Sequence, residues 1–298
     1  AEYQPAFGLR RARQPAAGSA VVMQPTTTTA ESPIAVFDSG IGGLTVVSAL
    51  RRELPGEDIV YLGDTARVPY GGKSRGTIER YSEEIAALLV GEGAKMVVVA
   101  CNTASALGLP RLREVLSVPV EGVIEPGVEA ALAATVTGHV AVLGTKATIG
   151  SGAYAHALQA ARPGIRVTSL ACPLLVPLVE EGLFEDELTD AALHRYVAAL
   201  RSGDADALVM GCTHYPLLAG ALARAAGPAI TLVDSAANCA RTVARRLDQL
   251  GLRAPSGRVG SLDLSFTDTP DNFLQVVRLA LGLEAGEVKV RPVPPLDQ

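Results

Sequence analysis

The chain has 298 residues, enough to bury a large core as two domains or one extended α/β unit. Its 26 Lys and Arg stand against 31 Asp and Glu, and the net charge of -5 offers no basic excess to hold a nucleic-acid backbone. No apolar run approaches the ~18 residues that a membrane-spanning helix requires, and the four cysteines lack CxxC spacing, which argues against a zinc ribbon or disulfide scaffold and for a reduced, cytoplasmic setting.

Arg10, Arg11 and Arg13 precede a Pro-, Ala- and Thr-rich stretch without an apolar core. A signal peptide is not expected from it, and residues 1–31 are read as a disordered extension or leader. From Pro33 onward short β-branched runs alternate with amphipathic stretches, the pattern of strands and helices around a parallel sheet. Strands are predicted at 34–38, 58–64, 96–101, 119–124, 139–145, 166–172, 207–212 and 231–235. Segments such as TIERYSEEIAALLVGEG and DELTDAALHRYVAALRSG repeat apolar residues at three- and four-residue steps and are predicted helices. Late in the chain, GRVGSLDLSFTDTP is expected to add an edge strand before a final helix from about Asp271 to Leu281 and a tail over 286–298.

The chain is also written twice. IAVFDSGIGG has a counterpart in VAVLGTKATIG, and VVVACNTAS has one in LVMGCTHYP. Two pseudosymmetric α/β domains follow, each a mainly parallel sheet flanked by helices, with residues 32–125 plus 235–285 in one and 126–234 in the other. Parallel sheets bind ligands at the carboxyl ends of their strands. Four such ends carry polar groups here: Asp38-Ser39, Cys101-Asn102-Thr103, Thr145 and Cys212-Thr213-His214. They meet in one crevice if the halves pack mouth to mouth.

A free cysteine is ordinarily a small buried hydrophobe. Cys172, followed by Pro and Leu, and Cys239, inside ANCARTVARRL, fit that description, whereas Cys101 and Cys212 are followed by hydrogen-bonding residues. A thiol at a helix mouth is expected to have a lowered pKa, and Pro216 supports a helix starting after Cys212. His214 and Asp38 are candidate proton partners for the two thiols; their plain alternatives are helix capping or solvent exposure. DSGIGG lacks the Lys-Ser/Thr of a P-loop and does not match GxGxxG, so it is read as a turn through which backbone approaches a small anion, with Ser39 as donor. GDTARVPYGGKS, with Tyr70, Gly71 and Gly72, is either a surface turn or a wall of the crevice.

FDSGIGGLTV, GDTARVPYG, ACNTAS, ACPLLVPLVEEG and MGCTHYPLL, in this order, resemble the glutamate racemase family over about residues 33–281. The resemblance implies two α/β domains with the active site between them, and interconversion of L- and D-glutamate for peptidoglycan without a cofactor or metal. It makes Cys101 and Cys212 the catalytic acid/base pair, with Asp38 and His214 assisting. It makes Asp38, Ser39, Tyr70, Gly71, Asn102, Thr103, Thr213 and His214 the substrate contacts, and it implicates one of Glu180 and Glu181. It also implies a homodimer; contact with DNA gyrase occurs in the family but nothing in this sequence supports it.

The chemistry suits those residue types. Inverting an α-carbon needs a base on one face and an acid on the other, and two thiols with an ordinary pKa of about 8.5 can exchange these roles. No pyridoxal phosphate lysine is suggested, so fixed hydrogen bonds must stabilise the carbanion-like transition state. Other readings are an aspartate or hydantoin racemase, a binding protein that keeps the fold without turnover, and a redox or metal role for the cysteines.

Overall fold

The computed structural model describes residues 28–201, 203–268 and 289–296. Two parallel sheets organise it. The first takes β1 (Ile34–Asp38), β2 (Ile59–Gly63), β3 (Met96–Val99), β4 (Val120–Gly122), β9 (Leu262–Phe266) and β10 (Lys289–Val290), in the order β10-β9-β2-β1-β3-β4. The second takes β5 (His139–Gly144), β6 (Arg166–Ala171), β7 (Ala207–Gly211) and β8 (Thr231–Val233), in the order β6-β5-β7-β8. The run β2-β1-β3-β4 and the run β6-β5-β7-β8 have the same topology, so β1 matches β5 and β3 matches β7. These are the pairs that the sequence repeat joined.

The central strands β1, β3, β5 and β7 are buried almost without a break because both of their faces are covered. Alternation along each strand sorts their side chains into two layers. Val36, Val98, Leu143 and Leu208 enter one core, and Phe37, Val99, Val142 and Val209 the other; each core runs through both halves of the molecule. On β6, an outer strand of the second sheet, no residue is fully buried.

The helices follow local signals. Ser74 opens α2 (Arg75–Gly91) by accepting from the Thr77 amide, and Asp234 opens α11 (Ser235–Leu250) by accepting from Ala236 N; Gly251 ends α11 at φ 67°. Arg51 and Arg52 lie in the last turn of α1 (Leu44–Glu53), where their charge complements the helix dipole. α11 packs against α1, returning the chain from the second half to the first. All eight expected strands form. The expected edge strand, β9, instead lies between β2 and β10, because residues 289–290 pair outside it. Residues 1–27 and the helix expected at 271–281 lie outside the described residues. Among the described residues no helix is long and apolar enough to cross a membrane.

At the edge opposite the strands' carboxyl ends, Lys95 Nζ pairs with Glu57 Oε2 at 2.6 Å, both side chains fully buried. Glu57 Oε1 accepts from Ala254 N at 2.7 Å, and Lys95 also donates to the Ala30 carbonyl, so one ion pair ties together three distant segments. Breaking a buried pair leaves one uncompensated charge, which typically costs ~3–5 kcal/mol. Glu57→Gln should therefore lower unfolding stability by about that much in urea denaturation, and a loss under ~1 kcal/mol would show that the pair does not carry the junction.

Candidate active site

Cys101 follows β3, two residues past Val99, in extended backbone (φ −64°, ψ 121°), and its carbonyl accepts the first bond of α3 (Asn102–Leu107) from Ser105 N. The hydroxyls and amide that follow it each have a separate duty. Ser105 is structural, donating to Val99 O at 2.8 Å and accepting from Val123 N. Thr103 reaches into the other half: its Oγ1 lies 2.9 Å from Thr145 Oγ1 and 3.1 Å from Thr148 Oγ1. Asn102 Oδ1 accepts from the Tyr154 phenol at 2.6 Å.

The Cys101 thiol lies 3.6 Å from Ser39 Oγ. Burial, then the neighbouring Asp38 carboxylate, push it up to about 12, against opposing hydrogen bonds from Ala104 N and Ser39. The lowering expected from a helix mouth is thus outweighed, because that expectation omitted both burial and the carboxylate behind the sulfur. Asp38, fully buried, does not cap α1: its Oδ2 accepts from Gly40 N at 3.0 Å and its Oδ1 from Thr213 Oγ1 at 3.3 Å.

Cys212 directly follows β7, at the position that the sequence repeat matches to Cys101. Its Sγ lies 3.7 Å from Nδ1 of His214, whose Nε2 is 3.4 Å from Glu180 Oε1, within ion-pair reach but not well aligned for a hydrogen bond. Burial opposes charge on this histidine, but its contacts with Cys212 and Glu180 and the field of Cys212 and Asp38 raise it to about 10, which favours the protonated ring. The helix expected directly after Cys212 is a 3-10 turn, Tyr215–Leu218 with Pro216 in its first turn; α10 (Ala219–Ala226) begins only afterwards.

In the glycine turn after β1, Ser39 lines the cavity and Gly42 meets the other half of the molecule. A Cβ on Gly42 would stand 2.6 Å from His214 Nδ1 and also overlap Thr213. Gly71 does the same on the other rim, where an added Cβ would lie 2.7 Å from Thr145 Cβ. Between these contacts lies a cavity of about 420 Å³, within the ~300–1,000 Å³ usual for small-molecule sites. The first half lines it with Ser39, Tyr70, Gly71, Cys101, Asn102 and Thr103, and the second with Thr145, Cys212, Thr213 and His214. Asp38 stands behind this wall and is not part of it.

Several features escaped the sequence. Tyr70 lines the cavity, but its hydroxyl is bound to Asp64, which also receives Arg67 Nε at 2.7 Å and Thr267 Oγ1 at 3.0 Å. Arg67 also pairs with Glu84 and lies 4.2 Å over the Tyr81 ring, so the loop carrying Tyr70 and Gly71 is clamped from below. Glu180 lines the cavity, whereas Glu181 is exposed, one helical step away. Cys172, read as plain core, is fully buried yet lines the cavity beside Val176 and Pro177. Lys146 lines it as well, an exposed cation with no sequence signal beyond its place after Thr145.

Comparison with known proteins agrees with this architecture. Residues 43–243 match the Asp/Glu/Hydantoin racemase family model. A curated glutamate racemase from Geobacter metallireducens is 48% identical over 86% of this chain and 94% of its own, and one from Thermus thermophilus is 50% identical over 82% and 90%. The crystal structure of a Francisella tularensis glutamate racemase in complex with D-glutamate superposes with a TM-score of 0.82 at 34% identity, covering 89% of this chain and 98% of that one. With a thiol from each half in one cavity, and likeness over most of its length, the chain belongs to the Asp/Glu/hydantoin racemase family.

Proposed function

We propose that the protein is a glutamate racemase that inverts the α-carbon by two-base proton transfer between Cys101 and Cys212, without a cofactor. The observation that carries this reading is the pair of thiols at equivalent strand ends of two repeated sheets, lining one cavity. One thiolate removes the α-proton, breaking C–H and forming S–H. The opposite thiol then delivers its own proton to the other face, breaking S–H and forming C–H.

The partners of the two sulfurs differ, and so do their roles in the resting site. Burial and Asp38 hold Cys101 as a thiol, the acid form. The imidazolium of His214, 3.7 Å from Cys212, is the counter-ion a thiolate there needs. By the family resemblance Cys212 is the base toward L-glutamate with Cys101 as the acid, and the D form requires the reverse. Hydroxyls of Ser39, Thr103, Thr145 and Thr213 and the Asn102 amide offer hydrogen bonds to the two carboxylates, with Lys146 at the rim as a diffuse attraction.

The same reading takes the division at residues 32–125 with 235–285 and 126–234 as that of two domains, supported by the two sheets. It takes the enzyme as a cytoplasmic homodimer supplying D-glutamate for peptidoglycan. Likeness to an aspartate racemase from Picrophilus torridus, at 17% identity and a TM-score of 0.52, extends to the fold alone.

Cys101→Ala and Cys212→Ala should each abolish racemisation in both directions, by more than the ~10²–10⁴ usual for one general acid or base. In heavy water each variant should at best exchange the α-proton of one glutamate enantiomer, with retention, as read by NMR and chiral chromatography. Racemisation by Cys101→Ala within tenfold of the parent, with the fold intact, would sink the two-base mechanism.

Because His214 carries its proton below about pH 10 and loses it above, turnover of L-glutamate should fall on the alkaline side as that charge disappears. The fall should be absent from the residual activity of His214→Asn. A parent profile flat from pH 6 to beyond 10 would argue against both thiol chemistry and the imidazolium.

Gly42→Ala tests the closeness of the halves. Its Cβ would overlap Thr213 and His214, and a displacement of ~1 Å at a reacting group can cost ~10²-fold in rate. Steady-state kinetics should show that loss with circular dichroism unchanged, and parental activity would mean that the halves need not approach so closely.

A further inference from the structure

Tyr154 is a tyrosine of the second half, in the first turn of α7 (Ala153–Ala161), and is 2% exposed. Its ring occupies a slot that two glycines keep open. A Cβ on Gly127, in α5 (Ile124–Ala134), would stand 3.2 Å from ring atom Cε1, and one on Gly211, at the end of β7, 3.1 Å from Cε2. The slot directs the phenol across the junction between the halves to Asn102 Oδ1, at 2.6 Å. Burial chiefly, with Ser235 as an opposing hydrogen-bond partner, raises the phenol well above its ordinary range, so it keeps its proton and acts as a donor.

A primary amide has one acceptor end and one donor end. Free to rotate, Asn102 would present either end to the cavity that it lines. With Oδ1 turned to the phenol, the Nδ2 end is the one left to face the cavity. We propose that Tyr154 is a positioning residue that locks the Asn102 amide with its donor end toward the cavity, so that Asn102 binds a substrate carboxylate and never opposes it with its own oxygen. The inference rests on the racemase reading above for the identity of that carboxylate, glutamate's, but the lock itself does not. The lock also joins the halves: a residue of the second sets the polarity of a substrate contact carried by the first.

Tyr154→Phe keeps the ring in its slot and removes only the hydroxyl. Two measurements read the consequence. In ¹⁵N-labelled protein the Asn102 side-chain NH2 pair is identified by its disappearance in Asn102→Ala. Tyr154→Phe should shift this pair toward the position of a solvated asparagine amide, and a pair that does not move overturns the lock. In a kinetic double-mutant cycle, Tyr154→Phe should lower kcat/KM for both glutamate enantiomers about tenfold, mainly through KM, the scale of one oriented hydrogen bond to a charged group. In the Asn102→Ala background the same change should alter kcat/KM by less than twofold. A loss that persists in full there would mean that Tyr154 acts through ring packing and not through Asn102, and parental kinetics in Tyr154→Phe would overturn the proposal equally. A parent protein that fails to racemise glutamate would refute the proposed function alone, because the amide signature needs no turnover and still decides the lock.

Discussion

The positive charge that His214 carries inside the cavity governs what the rest of the site can do. Cys101, Cys212, Asp38 and Glu180 all lie in or directly behind the wall, and each is a group that turns negative when it ionises. Without a buried cation, mutual repulsion and desolvation would keep both thiols protonated, and a pair of thiols with no thiolate cannot abstract a proton. His214 supplies that cation because Glu180 on one side and Cys212 on the other outweigh the burial that opposes it. Asp38 acts in the opposite sense on Cys101, keeping its proton in place. One histidine and one aspartate thereby give the two sulfurs opposite electrostatic surroundings.

The two sheets are alike in topology, and the cysteines occupy matching strand ends, yet their surroundings are unlike. Cys101 precedes a helix and faces Ser39, while Cys212 precedes a 3-10 turn and faces an imidazole. A reaction that runs both ways between mirror-related substrates does not require mirror-related catalysts. It requires only that the proton-bearing sulfur and the proton-seeking sulfur lie on opposite sides of one carbon and can trade states.

What was legible in the sequence was what depends on local pattern. Continuous Val-rich runs marked strands buried on both faces, and the hydroxyls after two of the four cysteines separated Cys101 and Cys212 from Cys239. Cys172 shows the limit of that criterion: its neighbours are Pro and Leu, and it nevertheless lines the cavity, since an apolar wall is also a wall. The direction of the Cys101 shift was illegible because it depends on burial in the folded chain and on a carboxylate 63 positions earlier. Asp64, Arg67 and Glu84 read as ordinary surface charge and turn residues until the fold closed them around Tyr70. Glu180 and Glu181 are indistinguishable in sequence, and helical phase alone decides which of them meets His214.

The glycines of DSGIGG and VPYGG belong to the same class of long-range information. The sequence suggested a ligand-approaching turn for the first and a surface turn or crevice wall for the second, and the fold uses Gly42 and Gly71 to bring backbone of the first half against His214 and Thr145 of the second. A side chain at either position would hold the halves apart. The hydrogen bonds from Thr213 to Asp38 and between Thr103 and Thr145 span the same approach, so such a side chain would press directly on one of their partners. In the proposed mechanism, proton transfer between two sulfurs on separate sheets depends on how closely those sheets approach. That distance is set by the smallest residues at the rim, ahead of any property of the sulfurs themselves.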